Sequence, residues 1–308
     1  MTTLRLYFSL AFSLSLAIFL SWDFADAQVT EQEQPLKITV SILPQEYFIK
    51  RIGGDLVQVA TLVQPGQSPA TYAPTPRQMA GLATSAIYFR IGVPFENVLI
   101  PKLARSIPQL TIVDQHQGLE IMLMEGSHIE HGEDHGDLDP HTWLDPILAL
   151  KQSIVIRDTL IRFDPKGATE YNNNFASLAQ DLKNLDENLK KALKPFAGSS
   201  IYVFHPAFGY FCRAYGLTQK AINPHGKEPG ARYLARLIEQ ARDDNVQIIF
   251  VQPQFSDKAA RTIAQSVGGK VVALDPLAKN YLTNMQSIAR QLATSFTQPV
   301  QQTKEGKL

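Results

Sequence analysis

Cysteine is almost absent: Cys212 stands alone in 308 residues. A single thiol closes no disulfide framework, and its neighbours Phe208, Tyr210, Phe211 and Tyr215 mark it as a buried hydrophobe. An excess of charge of either sign is also missing, with 29 bases against 29 acids. That balance excludes the electrostatic footprint of a nucleic-acid partner or of an acidic membrane surface. Several motifs of enzyme chemistry are missing as well: the HExxH helix, the G-x-S-x-G elbow, the Walker loop and the G-x-G-x-x-G turn.

What is present begins with a leader. Arg5 precedes an apolar run over 6–20 that ends near Ala25-Asp26-Ala27, the pattern of a secretory signal (1–27) cleaved before Gln28. The run is short for a bilayer span of about 20 residues. No cysteine follows it to carry a lipid, so the mature chain is expected in the periplasm without a membrane anchor. Loss of Arg5, Asp23 and Asp26 leaves 28 bases against 27 acids. The roughly 280 residues that remain suffice for one large domain or two ordinary ones.

From residue 38 onward, short β-branched runs alternate with segments of helical period. The pattern predicts strands over 38–42, 57–63, 86–91 and 110–113, with helices over 44–52, 76–82 and 96–106 between them. It starts again with strands over 201–204, 247–251 and 271–274, helices over 232–242 and 257–267, and a last helix over 280–296. Strict alternation implies right-handed crossovers and parallel sheets covered on both faces. The expected architecture is α/β: an N-terminal βα domain (28–165), a linking helix (166–196), a C-terminal βα domain (197–296) and a disordered tail (297–308). In the linking segment Tyr171, Phe175, Leu178, Leu182, Leu185 and Leu189 recur at spacings of three and four, one apolar stripe on one helix. At 1.5 Å per residue, a helix over 168–193 is about 39 Å long, and Pro195 stops it. Fewer than four heptads argue against a coiled-coil dimer. A rigid strut within a monomer remains.

His128, His131, His135 and His141 are four of the seven histidines, and neutral imidazole is the commonest protein ligand of zinc and its neighbours. In open parallel sheets ligands bind beyond the carboxyl ends of the strands. His205 follows one predicted strand, Asp275 follows another, and His141 sits in the loop that leaves the first half. Singly, such a histidine is more often structural and an Asp-Pro more often a turn. Their joint occurrence at corresponding places favours a metal site in a cleft between the halves, with donors about 2.0–2.2 Å from a zinc ion. His128, His131 and His135 belong to a run rich in His, Glu, Asp and Gly, the composition of a solvated loop that holds metal loosely.

Six stretches then occur in a telling order: Pro69-Ala70-Thr71-Tyr72-Ala73-Pro74-Thr75-Pro76, Gly92-Val93-Pro94-Phe95-Glu96, Asp139-Pro140-His141-Thr142-Trp143-Leu144-Asp145-Pro146, Phe204-His205-Pro206-Ala207-Phe208-Gly209-Tyr210, Glu228-Pro229-Gly230 and Leu274-Asp275-Pro276-Leu277. With them the chain resembles the metal-specific solute-binding proteins of ABC transporters, the zinc and manganese uptake class, over essentially its whole mature length. The resemblance implies two βα domains on a long backbone helix, one metal ion in the interdomain cleft, and delivery to a membrane permease. It implies His141 and His205 as imidazole ligands and Asp275 as the carboxylate ligand.

The family has one more histidine, after the proline of the first motif, and here that position is Ala70. Three completions follow. Water or another small ligand takes the fourth position; His225 or a histidine of the loop swings in; or the cleft has turned to a different ligand, against which the retained His141, His205 and Asp275 speak. Two imidazoles and a carboxylate suit zinc and also manganese, and the His-rich loop favours zinc. Three protein ligands with an open position are also the arrangement of a catalytic zinc. An exported zinc-dependent hydrolase is therefore the alternative from another class, and an adhesion or metal-buffering protein on the same scaffold is a third. The missing enzyme motifs favour the carrier, with no catalytic activity.

Overall fold

The computed structural model describes residues 34–125, 138–222, 231–244, 246–255 and 258–297. The expected signal segment, the tail beyond residue 297, and His128, His131, His135 and His225 lie outside the described residues. Strands β1 (Leu36–Val40), β2 (Val57–Thr61), β3 (Ile87–Arg90) and β4 (Thr111–Asp114) make one parallel sheet in the order β2-β1-β3-β4. Strands β5 (Ser200–Val203), β6 (Thr218–Ala221), β7 (Ile248–Val251) and β8 (Lys270–Ala273) make a second in the order β6-β5-β7-β8. The connectivity is the same in both. In each sheet the first strand lies between the second and the third, so the chain reverses its direction of travel there, and the loops diverge to open a crevice beyond the strand ends.

Helices α1 (Leu43–Gly53), α2 (Pro76–Ala83) and α3 (Glu96–Ser106) belong to the first half, and α4 (Pro146–Phe163) and α5 (Ala168–Leu193) follow it. Helices α6 (Gly209–Tyr215), α7 (Ala231–Asp243), α8 (Lys258–Ser266) and α9 (Tyr281–Thr297) belong to the second half. Local chemistry sets several of the starts. Thr75 and Gln78 form a reciprocal capping box for α2, with Pro76 at its first position. Asp145 caps α4 by accepting from the backbone of Ile147 at 2.8 Å and Leu148 at 3.3 Å, again ahead of a proline.

The apolar stripe of α5 is buried as its spacing requires: Tyr171, Leu178, Leu182, Leu185 and Leu189 are each no more than 2% exposed. Phe175 is half-buried beneath the Arg157 guanidinium, 4.5 Å from the ring centre. The helix packs on α4, on α1 of the first half and on the closing helix α9. Arg51 reaches Asp181 at 2.7 Å and Asn174 donates to the carbonyl of Ile52, which ties α1 to the strut. The second half is held from Tyr215, whose hydroxyl donates to Asp186. Pro195 lies in the 3-10 turn Lys194–Phe196 that ends the helix.

Direct contacts also join the halves. The indole of Trp143 donates to the carbonyl of Pro276, and Tyr281 donates to the carbonyl of Trp143. Tyr210 donates to the carbonyl of Asp139 and accepts from the backbone of Met122. The Lys279 ammonium lies 2.9 Å from Glu46. Cys212, 2% exposed, is packed inside α6 as expected.

Candidate metal centre

His141 and His205 come together from opposite halves, with ring centres 5.3 Å apart and planes at 69°. His141 opens the 3-10 turn Thr142–Leu144 and is 8% exposed. Its Nδ1 lies 2.7 Å from Oδ1 of Asp139, and the same oxygen accepts from its backbone N–H at 2.9 Å. A carboxylate on Nδ1 puts the ring proton there and leaves the Nε2 lone pair free for an ion. Asp139 is itself buried, and its other oxygen lies close against Gly209, where a Cβ would stand 2.9 Å away. The glycine of the Phe-Gly-Tyr triplet therefore serves the approach of a carboxylate from the opposite half.

His205 stands two residues beyond β5. The fully buried Gln252 clamps its main chain, accepting from its N–H at 3.2 Å and donating to its carbonyl at 2.7 Å. Phe255 packs on the imidazole with ring centres 5.0 Å apart. Burial, with the neighbouring His141 adding to it, pushes His205 down to about 3, so it is an uncharged imidazole at neutral pH. Its Nδ1 is buried without a hydrogen-bond partner among the described residues. An orphaned buried ring nitrogen suits a Lewis acid, which takes the lone pair that no donor satisfies.

Asp275 stands two residues beyond β8, and its Oδ1 accepts from Gln254 Nε2 at 2.7 Å and from the backbone of Leu277 at 2.9 Å. With Gln254, Lys279, Gln64 and Gly66 it lines a cavity of about 210 Å³ between the halves. Among the described residues, no three of His, Cys, Asp and Glu gather closely enough to hold an ion. The two histidines meet, and the Asp275 carboxylate is held through Oδ1 by Gln254 and the Leu277 backbone. Ala70 is exposed, in the loop between β2 and α2 whose start, Gln64-Pro65-Gly66, borders that cavity.

Sequence reasoning passed over Asp139, Gln252, Gln254 and His116. Asp139 had a signal, since an acid two residues before a candidate histidine in one turn can reach its ring. His116, just beyond β4, braces the His141 turn through Thr142, whose hydroxyl lies 3.1 Å from its Nε2 and accepts from Gln152. Gly92, at φ 80°, passes against this ring, where a Cβ would stand 2.9 Å from Cε1. The Gly92-Val93-Pro94-Phe95-Glu96 stretch is structural. Glu96, wholly buried, accepts from the backbone of Ile91 and Gly92 and from the Ser41 hydroxyl, tying the end of β3 to the end of β1.

The family model described as zinc-uptake complex component A, periplasmic, matches residues 38–295. The chain belongs to this family. Among curated relatives, the high-affinity zinc uptake system protein ZnuA of Bacillus subtilis is 31% identical over 253 residues, covering 79% of this chain and 78% of the relative. The zinc-binding lipoprotein AdcA of Streptococcus pneumoniae is 28% identical over 79% of this chain, which spans only half of AdcA. Among solved structures, one of ZnuA superposes with a TM-score of 0.77 at 36% identity, covering 84% of this chain and 98% of that one. A zinc-bound ZnuA deletion mutant gives a TM-score of 0.78, also at 36% identity, over 86% of this chain and all of that one. The two parallel-sheet units on a long helix are thus the family's architecture.

Proposed function

We propose that the chain is the zinc-binding component of an ABC-type zinc-uptake system, capturing the ion outside the inner membrane and handing it to a membrane permease. The observation that carries this reading is the meeting of His141 and His205 across the two halves, one oriented by Asp139 and the other kept uncharged by burial. Asp275 is the third ligand. With Ala70 in place of a donor, the fourth position of the ion goes to water or another small ligand. The same donors suit manganese, and the names of the relatives speak for zinc. The leader pattern supports a periplasmic location. No catalytic role is assigned.

Because α5 packs on elements of both halves, capture proceeds by short side-chain movements at the site and not by a wide swing of one half on the other. Release follows when docking on the permease separates the ligands. Calorimetric titration with zinc, together with metal analysis of the purified mature protein, tests the reading. His141→Ala and His205→Ala should each weaken binding at least about 100-fold, since each removes one of few ligands. Wild-type protein that binds zinc no better than the double variant would overturn it.

A further inference from the structure

Gln252 and Gln254 leave the carboxyl end of β7, the strand that lies between β5 and β8 in the second sheet. The two amides reach to opposite sides. Gln252 holds the main chain of His205, and Gln254 holds the carboxylate of Asp275. One short loop thus braces both ligands that the second half contributes.

The contact at Asp275 is selective between its two oxygens. Oδ1 carries two donors, from Gln254 Nε2 at 2.7 Å and Leu277 N at 2.9 Å, and Oδ2 has none among the described residues. Gln254 Oε1 is buried and unpartnered among the described residues. Turning the amide over would place that oxygen against the carboxylate, which is worse. The orientation of the amide is therefore fixed by Asp275, at the cost of one unsatisfied acceptor.

We propose that Gln254 is a positioning and specificity-determining residue of the cation site: by occupying Oδ1 it leaves Oδ2 as the single oxygen that Asp275 offers to an ion. This rests on Asp275 being a ligand, as proposed above. A carboxylate that binds through one oxygen, with two imidazoles and one small ligand, makes four-coordinate zinc. A carboxylate free to bind through both oxygens suits the larger oxygen-rich shells of manganese or calcium. Gln254 therefore tilts the site towards zinc.

Gln254→Met keeps the length of the side chain and removes the donor, and Gln254→Leu is a second variant should the first fold poorly. Titration of the mature protein with zinc and with manganese should show zinc affinity falling about 10–100-fold, the usual effect of losing a group that orients a ligand, with manganese affinity unchanged or raised. The visible spectrum of the cobalt-loaded protein should weaken, from the strong absorption of a four-coordinate ion towards that of a five- or six-coordinate one. Equal losses for both cations with an unchanged cobalt spectrum would reduce Gln254 to a structural residue and overturn the inference, as would unchanged zinc affinity. Asp275→Ala, measured in parallel, separates the two levels. If it binds zinc like wild type, the ligand assignment itself falls; if it weakens zinc while the Gln254 variants do not, only the role of Gln254 falls.

Discussion

The indole nitrogen of Trp143 donates to the carbonyl oxygen of Pro276 at 2.8 Å, joining the residue two places after His141 to the residue immediately after Asp275. Tyr281 returns the link by donating to the carbonyl of Trp143 at 2.6 Å. The main chains that carry two proposed ligands from opposite halves are thus pinned together behind the site. Trp143→Phe keeps an aromatic ring but loses the donor and part of the buried indole volume, leaving the Pro276 carbonyl unpaired beside a cavity. Denaturant unfolding should show a loss of about 2–4 kcal/mol, and zinc binding should weaken as the spacing of the proposed ligands loosens. Unchanged values of both would mean that the hydrogen bond spans a joint that packing alone holds.

Asp139 fixes both the ring orientation and the tautomer of His141. Asp139→Asn keeps the size of the side chain but replaces the charged acceptor, and should lower zinc affinity about 10–100-fold. Asp139→Glu should not restore it, because the added methylene has no room beside Gly209. Calorimetry on both variants checks this.

Acid should weaken the metal-free protein through two groups. His205 is depressed from 6.5 to about 3 by burial and by its histidine neighbour. As pH falls through 6.5 the unfolded chain takes up a proton that the folded chain refuses, so stability declines from there towards pH 3. Between pH 7 and 5 the loss is about 2 kcal/mol, at 1.36 kcal/mol per pH unit below 6.5. His205→Phe should flatten that slope. For Glu46, burial acts to raise the carboxyl, but the hydrogen bonds from Lys50, Lys279 and Thr61 outweigh it and hold the group below 4.5. Its contribution is present above the unfolded value and is lost as pH falls through the folded one. Both lysines are half-exposed, so that contribution stays below about 1 kcal/mol. Unfolding of Glu46→Gln followed from pH 6 downward should differ from wild type at first and converge with it once the pH has fallen below the depressed value of the Glu46 carboxyl.

Glu96→Ala should be the most damaging of these changes to the fold. It strands the buried donors of Ile91, Gly92 and Ser41, and a loss of about 3–4 kcal/mol follows from a broken buried network. Thermal unfolding measures it. Zinc affinity per folded molecule should change far less than in Asp139→Asn.

Ala70→His returns an imidazole to a loop that begins beside the Asp275 cavity. Zinc affinity should rise about tenfold or more as a fourth protein ligand displaces a small one. An unchanged affinity would show that the loop does not bring position 70 to the ion.

Much of the fold was legible because period and punctuation agree. The helix expected over 96–106 is α3, and the leucine stripe with Pro195 behind it is α5. Strand ends shift by one or two residues, as between the expected 57–63 and the observed Val57–Thr61, although Leu62 and Val63 still donate to the carbonyls of Val40 and Ser41. Strand β6 gives no signal: Thr-Gln-Lys-Ala at a sheet edge holds one β-branched residue, and its pairing with β5 makes it a strand. Helix α4 contains Ile154-Val155-Ile156, a run that period alone leaves ambiguous and that the Asp145 cap resolves. The candidates His141, His205 and Asp275 stand out by residue type and position, and the structure brings the first two together. Gln252 and Gln254 could not, because a glutamine matters here only through neighbours 21 and 47 positions away that the sheet order sets beside it.

The solitary thiol has a use in the laboratory. Burial raises the Cys212 sulfhydryl well above its ordinary range, and with 2% exposure it is closed to reagents in the native protein. Its labelling by a thiol reagent therefore keeps time for the opening of the second half around α6. A cysteine placed on the surface would take a dye alone, with the native thiol silent beneath it.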